Sequence, residues 1–322
     1  MGKIKKYLVL DCETATLPFA NEMSINAKQK QKIAIAKPLI YDIGWQVVDR
    51  NGNIYAKKNF LIQETFFVPQ IFSTAYYRDK RPLYMAMLEK QEIVVATWFQ
   101  AMEELEKDMK DLEMVLAYNA CFDFKKAIPF TEKYIKKLYS NDYQSWEDGQ
   151  RRKCQNLLAN MAESGNPDYL KPIFKFRGFE YPLCDLWGVA CERLINIDKY
   201  RNFCLENDLL TQSGLFFKTS AETSFQYLFN NADFIEEHTA LSDAMIESDI
   251  LIKALKKGKL EPTIQEFPFR QLGEVHVYVM EKQPTYAKKV AEKIYEVFEV
   301  RQDGAYKTKL FNALSYLGYD VD

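Results

Sequence analysis

Residues 8–17 read LVLDCETATL, and Tyr7 lengthens the apolar run before the aspartate to Tyr7–Leu10. A short apolar run that ends abruptly in polar residues reads as a buried strand, here over residues 5–11. Asp11 and Glu13 follow where it ends. Residues two apart in a strand point to the same face, so the two carboxylates would crowd and repel. The pair costs stability unless a cation lies between its members. That conflict makes a bound cation the first expectation of the sequence.

Composition sets the frame around it. The chain has 322 residues, 48% of them hydrophobic and 14% aromatic, enough for a substantial core and too apolar for disorder. The net charge is −2 and the pI about 6.0, which excludes a globally basic nucleic-acid binder. A polyanionic ligand would need local basic patches or metal ions. The six cysteines, Cys12, Cys121, Cys154, Cys184, Cys191 and Cys204, form no CxxC pair, so neither a structural zinc site nor a disulfide framework is expected. Residues 1–6 are charged, no signal-peptide pattern follows, and no long apolar span occurs. A cytoplasmic protein is expected.

Outward from the first strand, residues 41–49 (YDIGWQVVD) and 53–62 (NIYAKKNFLI) flank Asn51-Gly52, a strong hairpin signal. The stretch NEMSINAKQKQKIAIAKP before them reads as a Lys-rich loop or short helix. Residues 92–110 have helical spacing, MVLAY (114–118) reads as a strand, and the segment from Cys121 reads as a helix that Pro129 should kink or interrupt. In 139–182, RRKCQNLLANMAES reads as a helix, ESGNPDY as turn-rich chain, and KPIFKFRGFEYPLCDLW as two short strands around Arg177-Gly178. Helices are expected over 220–230 and 239–257, the second stopped by Gly258. Past Pro262 and Pro268, VHVYVM reads as a strand, YAKKVAEKIYEVF as a helix, and the end as a short helix. The whole is an α/β chain with a mixed sheet and helices packed on it.

Acidic residues recur at element boundaries: Asp11 and Glu13; Asp123 after the strand 114–118; and Asp243 early in the helix 239–257, near His238. Each has an ordinary explanation. An acidic pair after a strand is commonly a solvated turn, an acid in a helix's first turn suits the macrodipole, and Thr239 can serve as an N-cap. Together they form a set of carboxylates and a histidine on elements that can converge at one end of a sheet. All-oxygen ligands suit Mg²⁺ or Mn²⁺ rather than zinc. Two such ions roughly 4 Å apart hydrolyse phosphodiesters, with a histidine placed to take the proton of the attacking water.

The segments DCET, YNACFD and HTALSD, in this order, resemble the three motifs of the DEDDh (DnaQ-like) 3′–5′ exonucleases, the family of the epsilon proofreading subunit of DNA polymerase III and of RNase T. The H-x4-D spacing of His238 to Asp243 and the N-x3-D spacing of Asn119 to Asp123 are specific parts of the match. The resemblance spans roughly residues 5–257. It implies an RNase H-like fold, two Mg²⁺ or Mn²⁺ ions on Asp11, Glu13, Asp123 and Asp243, and His238 as general base. It also implies substrate contacts at Thr14, Asn119 and Phe122. The organisation expected from it is an exonuclease domain over 1–258, with an insertion at about 139–182, and a small α/β extension over 259–322 that matches no familiar pattern. The activity implied is release of nucleoside 5′-monophosphates from single-stranded or frayed 3′ ends, with DNA favoured. An exoribonuclease and a non-catalytic nucleic-acid-binding or interaction module stay open as alternatives. A replication or repair protein is a further partner that the resemblance allows.

Basic residues at Lys125, Lys126, Lys133, Lys136, Lys137, Arg151–Lys153, Lys171, Lys175 and Arg177 alternate with aromatics: Tyr134, Tyr139, Tyr143, Trp146, Tyr169, Phe174, Phe176 and Phe179. Phosphate contacts beside stacking surfaces would suit a single strand. The competing reading is a solvated lysine face over core aromatics.

Overall fold

The structure, a computed structural model, describes residues 4–159, 167–301, 303–319 and 321. The chain divides into two compact units. The first takes Met1–Leu186 with Glu236–Ile264, and the second Trp187–Ile235 with Gln265–Asp322.

The first unit is built on a seven-stranded sheet of order β4-β3-β2-β1-β5-β7-β6. Its strands are β1 (Lys6–Ala15), β2 (Leu39–Asp49), β3 (Ile54–Ile62), β4 (Val94–Ala96), β5 (Met114–Ala117), β6 (Ile173–Phe176) and β7 (Phe179–Asp185). β1–β2, β2–β3 and β6–β7 are antiparallel, whereas β1–β5, β3–β4 and β5–β7 are parallel. The expected α/β class and mixed sheet are both present.

β1 and β2 lie at the centre because they can be covered on both faces. Leu8, Val9 and Leu10 are fully buried, and all of β2 is buried. β1 runs past its expected end, so Asp11 and Glu13 lie within it. Asp11 pairs with Gly44 and Glu13 with Asp42, and the ladder slips between Glu13 and Thr14. The β2–β3 hairpin turns through Gly52 at φ +86°, while the Asp49 carboxylate accepts the N–H groups of Asn51 and Asn53 at 2.8 and 3.1 Å.

Two helical segments meet this centre. The first leaves β5 as the turn Ala120–Phe122, becomes a π-turn over Asp123–Ala127 and continues as Ile128–Leu138. Pro129 cannot donate to the preceding turn, and the expected interruption is this π-turn, whose wider spacing relieves the ring's clash with the chain before it. The second is the helix Ala240–Lys257, closed by Gly258 at φ +155°. It crosses β2 at Gly44, where a Cβ would lie 2.3 Å from the Leu241 nitrogen. Only a glycine lets backbone approach backbone so closely.

Several expectations need correction. β4 occupies the start of the segment read as wholly helical; the helix there is Trp98–Asp108, begun by a Thr97–Gln100 capping box. VHVYVM is not a strand but part of the helix Val275–Lys282. Its valines favour strands intrinsically, yet Val275, Tyr278 and Val279 are buried at helical spacing, and packing decides. With Ala287–Val300 and Gly304–Tyr316 also helical, the described part of 259–322 contains no strand, so the expected α/β extension is a helical segment. That segment from Gln265 onward belongs to the same compact unit as 187–235. There, Val275 N–H donates to the Leu215 carbonyl at 3.0 Å and Arg201 Nε to that of Leu272 at 2.8 Å. The stretch read as an insertion at 139–182 contributes the helix Tyr143–Ala159 and the β6–β7 pair, and β7 joins the sheet beside β5. The turn-rich ESGNPDY lies mostly outside the described residues.

Candidate active site: buried carboxylates around the first strand

β1 carries Asp11 and Glu13 into the middle of the first unit, and three further elements bring charge to them. The π-turn supplies Asp123, the chain before the helix Ala240–Lys257 supplies His238, and that helix supplies Asp243. Glu13, His238 and Asp243 each place one potential ligand atom within 4.8 Å of the other two. The His238 Nδ1 faces Asp243 Oδ2 at 3.7 Å and Glu236 Oε2 at 3.5 Å. Asp11 and Asp123 stand outside that trio. Asp123 is the largest charge bearing on Asp11, with Glu247 the next, whereas the charge that bears first on Asp123 is Asp185.

The cluster is acidic and largely buried. Glu13, Asp123, Asp243 and Glu247 are all buried. Burial comes first in pushing the carboxyls of Asp11, Glu13, Asp123 and Glu247 well above the ordinary range, and neighbouring carboxylates push in the same direction. Hydrogen bonds oppose this at Asp123, which accepts first from its own backbone N–H and then from the thiol and the backbone N–H of Cys12. They do so at Glu247 as well, which accepts the Tyr118 N–H at 3.1 Å. Lys80 offsets part of the effect at Glu13. The His238 imidazole is pushed above its usual value, chiefly by its closeness to the Asp243 carboxylate. Such a set is stable either protonated or with a cation among its oxygens.

The donors fit hard divalent cations. They are carboxylate oxygens with one imidazole beside them, and the nearby Cys12 thiol is turned to Asp123 instead of offering a thiolate. Asp42 Oδ1, beside Glu13, is buried with no hydrogen-bond partner among the described residues.

The other expected residues flank this cluster. Thr14 is half-buried beside the slip in the ladder. Asn119 sits at φ +78° with its N–H donating to Asp185 Oδ1 at 3.1 Å, and Phe122 packs on the core one residue before Asp123. The basic-aromatic stretch divides between core aromatics and surface cations. Tyr134, Phe174 and Phe176 are core residues. Lys136, Lys175 and Arg177 pair with Glu132, Glu180 and Glu106, and Arg151 pairs with Glu22 at 2.8 Å and lies over Phe19. Tyr139 and Phe179 stay exposed.

Reading the sequence missed Asp42, Glu247 and Tyr77. Glu247 had a signal, since it lies one helical turn after Asp243 on a face otherwise lined by Ala240, Ala244 and Leu251. Tyr77, stacked on His238 at 4.5 Å between ring centroids, had none. Comparison of the chain with protein-family models, with curated proteins and with solved structures finds no match.

Proposed function

We propose that this chain is a divalent-metal-dependent 3′–5′ exonuclease on an RNase H-like fold, releasing nucleoside 5′-monophosphates from the 3′ ends of single-stranded or frayed DNA. The observation that carries the reading is the meeting of Glu13, His238 and Asp243 within 4.8 Å, from segments far apart in the chain. The mixed sheet with helices against it is compatible with the fold. The motifs DCET, YNACFD and HTALSD supply the carboxylates in the order the family resemblance requires.

In this reading Asp11, Glu13, Asp123 and Asp243 hold Mg²⁺ or Mn²⁺. When bound, two such ions activate water and stabilise the charge on the departing oxygen. The chain's own work is narrower. β1 presents its acids from a rigid central strand, and the buried walls keep bulk water from screening them. His238 turns Nδ1 toward Asp243 and Glu236, so Nε2 is left to take the proton of the attacking water.

The test is loss of a 3′-terminal label with Mn²⁺ present, run side by side on single-stranded DNA, duplex DNA and RNA. Faster loss from RNA than from DNA would shift the substrate to RNA. No cleavage of any of the three would leave a binding module and defeat the proposal.

A further inference from the structure

The segment Ser73–Arg81 belongs to none of the three motifs, yet it reaches His238. Its frame begins at β1, the strand that carries Glu13. Just past that strand, the Thr16 N–H donates to Thr74 Oγ1 at 2.8 Å, and the Thr74 hydroxyl donates to the Ile71 carbonyl at 2.7 Å. Ala75 is then fully buried. From this anchored start, Tyr77 lays its ring flat against the His238 imidazole, with centroids 4.5 Å apart and planes inclined by 15°. The Lys80 ammonium lies 4.9 Å from the Tyr77 ring centre and donates to the Glu237 carbonyl, immediately before His238. His238 sits at φ +51°. A residue with a side chain rarely takes that conformation, although histidine does so more readily than most. Such a backbone persists where its surroundings over-determine it, and here a ring and a tether do so.

We infer that Tyr77 is a positioning residue that sets the plane of the His238 imidazole beside Glu13 and Asp243, while Lys80 holds the backbone that bears it. The inference rests on the exonuclease reading for the work His238 performs. A stacked ring removes torsional freedom from the imidazole, so the nitrogen that meets the attacking water is oriented before substrate arrives. The contact is ring on ring, so the Tyr77 hydroxyl is dispensable to it.

The experiment uses the full chain with Mn²⁺ and 3′-labelled single-stranded DNA. Tyr77→Leu should lower the saturated single-turnover rate about 10–100-fold with little change in KM. Tyr77→Phe should restore the rate. In a His238→Ala background, Tyr77→Leu should cost nothing further, because the residue it acts through is gone. A readout free of activity runs beside these. The chain has only two histidines, so the imidazole C–H resonance of His238 is readily assigned. It should carry a ring-current shift that Tyr77→Leu removes and Tyr77→Phe keeps. An active wild type whose Tyr77→Leu variant turns over normally, changes only KM, or loses equally in both backgrounds overturns the inference and spares the nuclease reading. A wild type inactive on DNA and RNA overturns that reading and the positioning role with it, while the resonance still reports the stack.

Discussion

Glu13 and Asp42 face each other across the β1–β2 ladder, and both carboxyls are buried. Asp42 Oδ2 accepts the Ala240 N–H and the Tyr84 hydroxyl, each at 2.9 Å. The acid opposite a proposed metal ligand therefore ties the start of the helix bearing Asp243 to the centre of the sheet. Burial pushes the Asp42 carboxyl up to about 7, against the pull of those two hydrogen bonds, and the Asp243 charge adds to the rise.

That shift fixes a pH dependence for the metal-free protein. A carboxyl at about 3.9 in the unfolded chain and about 7 in the folded one binds its proton more tightly when folded. Its contribution is then full below about pH 4 and is lost as pH rises toward about 7. In EDTA, Tm should fall across that window, and Asp42→Asn should make the fall shallower. Thermal melts across the range decide it; an unchanged slope in the variant would mean Asp42 is ionised throughout.

Cations should relieve the same repulsion. Mg²⁺ or Mn²⁺ should raise Tm, since they bind the folded cluster, and should restore activity removed by chelation. Asp11→Ala should lose activity and most of the thermal shift. Full nuclease activity in excess EDTA would exclude the two-metal reading.

His238 and Asp243 should separate by role. Asp243→Ala should weaken cation binding and abolish turnover together. His238→Ala should keep most of the cation-induced thermal shift and still slow turnover about 10²–10⁴-fold, the usual worth of a general base. A metal titration beside single-turnover rates distinguishes them. Near wild-type turnover in the His238→Ala protein would remove that residue from the chemistry.

Gly44→Ala tests how the site is framed. The added Cβ would meet Leu241 and Ala240 backbone at 2.3–2.6 Å, with no flexible side-chain end to give way. The expected cost is about 1–3 kcal/mol or more in denaturant unfolding. Activity should fall further than stability explains, because the displaced helix carries Asp243. A variant with both properties intact would mean the helix shifts freely over β2.

The core strands were legible because their residues leave little choice: the apolar runs of β1 and β5 suit burial on both faces, and Asn51-Gly52 turns the chain between β2 and β3. The carboxylates were legible only as motifs, since Asp11, Glu13, Asp123 and Asp243 each have a local explanation. Asp42 was hidden because an acid inside YDIGW looks like the alternation of a half-exposed strand, whereas all of β2 is covered. VHVYVM misled for the opposite reason: local preference pointed to a strand, and the buried helical face outweighed it. Tyr77 meets His238 only through the fold, so no spacing could announce it.

The helix Ala240–Lys257 returns to the first unit after the chain has left it at Leu186, and this order has a temporal consequence. During synthesis Asp11, Glu13 and Asp123 leave the ribosome long before His238 and Asp243. At about 5–20 residues per second the delay is on the order of ten seconds. Throughout it the nascent chain carries Asp11, Glu13 and Asp123 without His238 and Asp243. If the cluster is the nuclease proposed here, the enzyme cannot cut until the segment between Trp187 and Ile235 has been made. Chain order then acts as a timer on that activity.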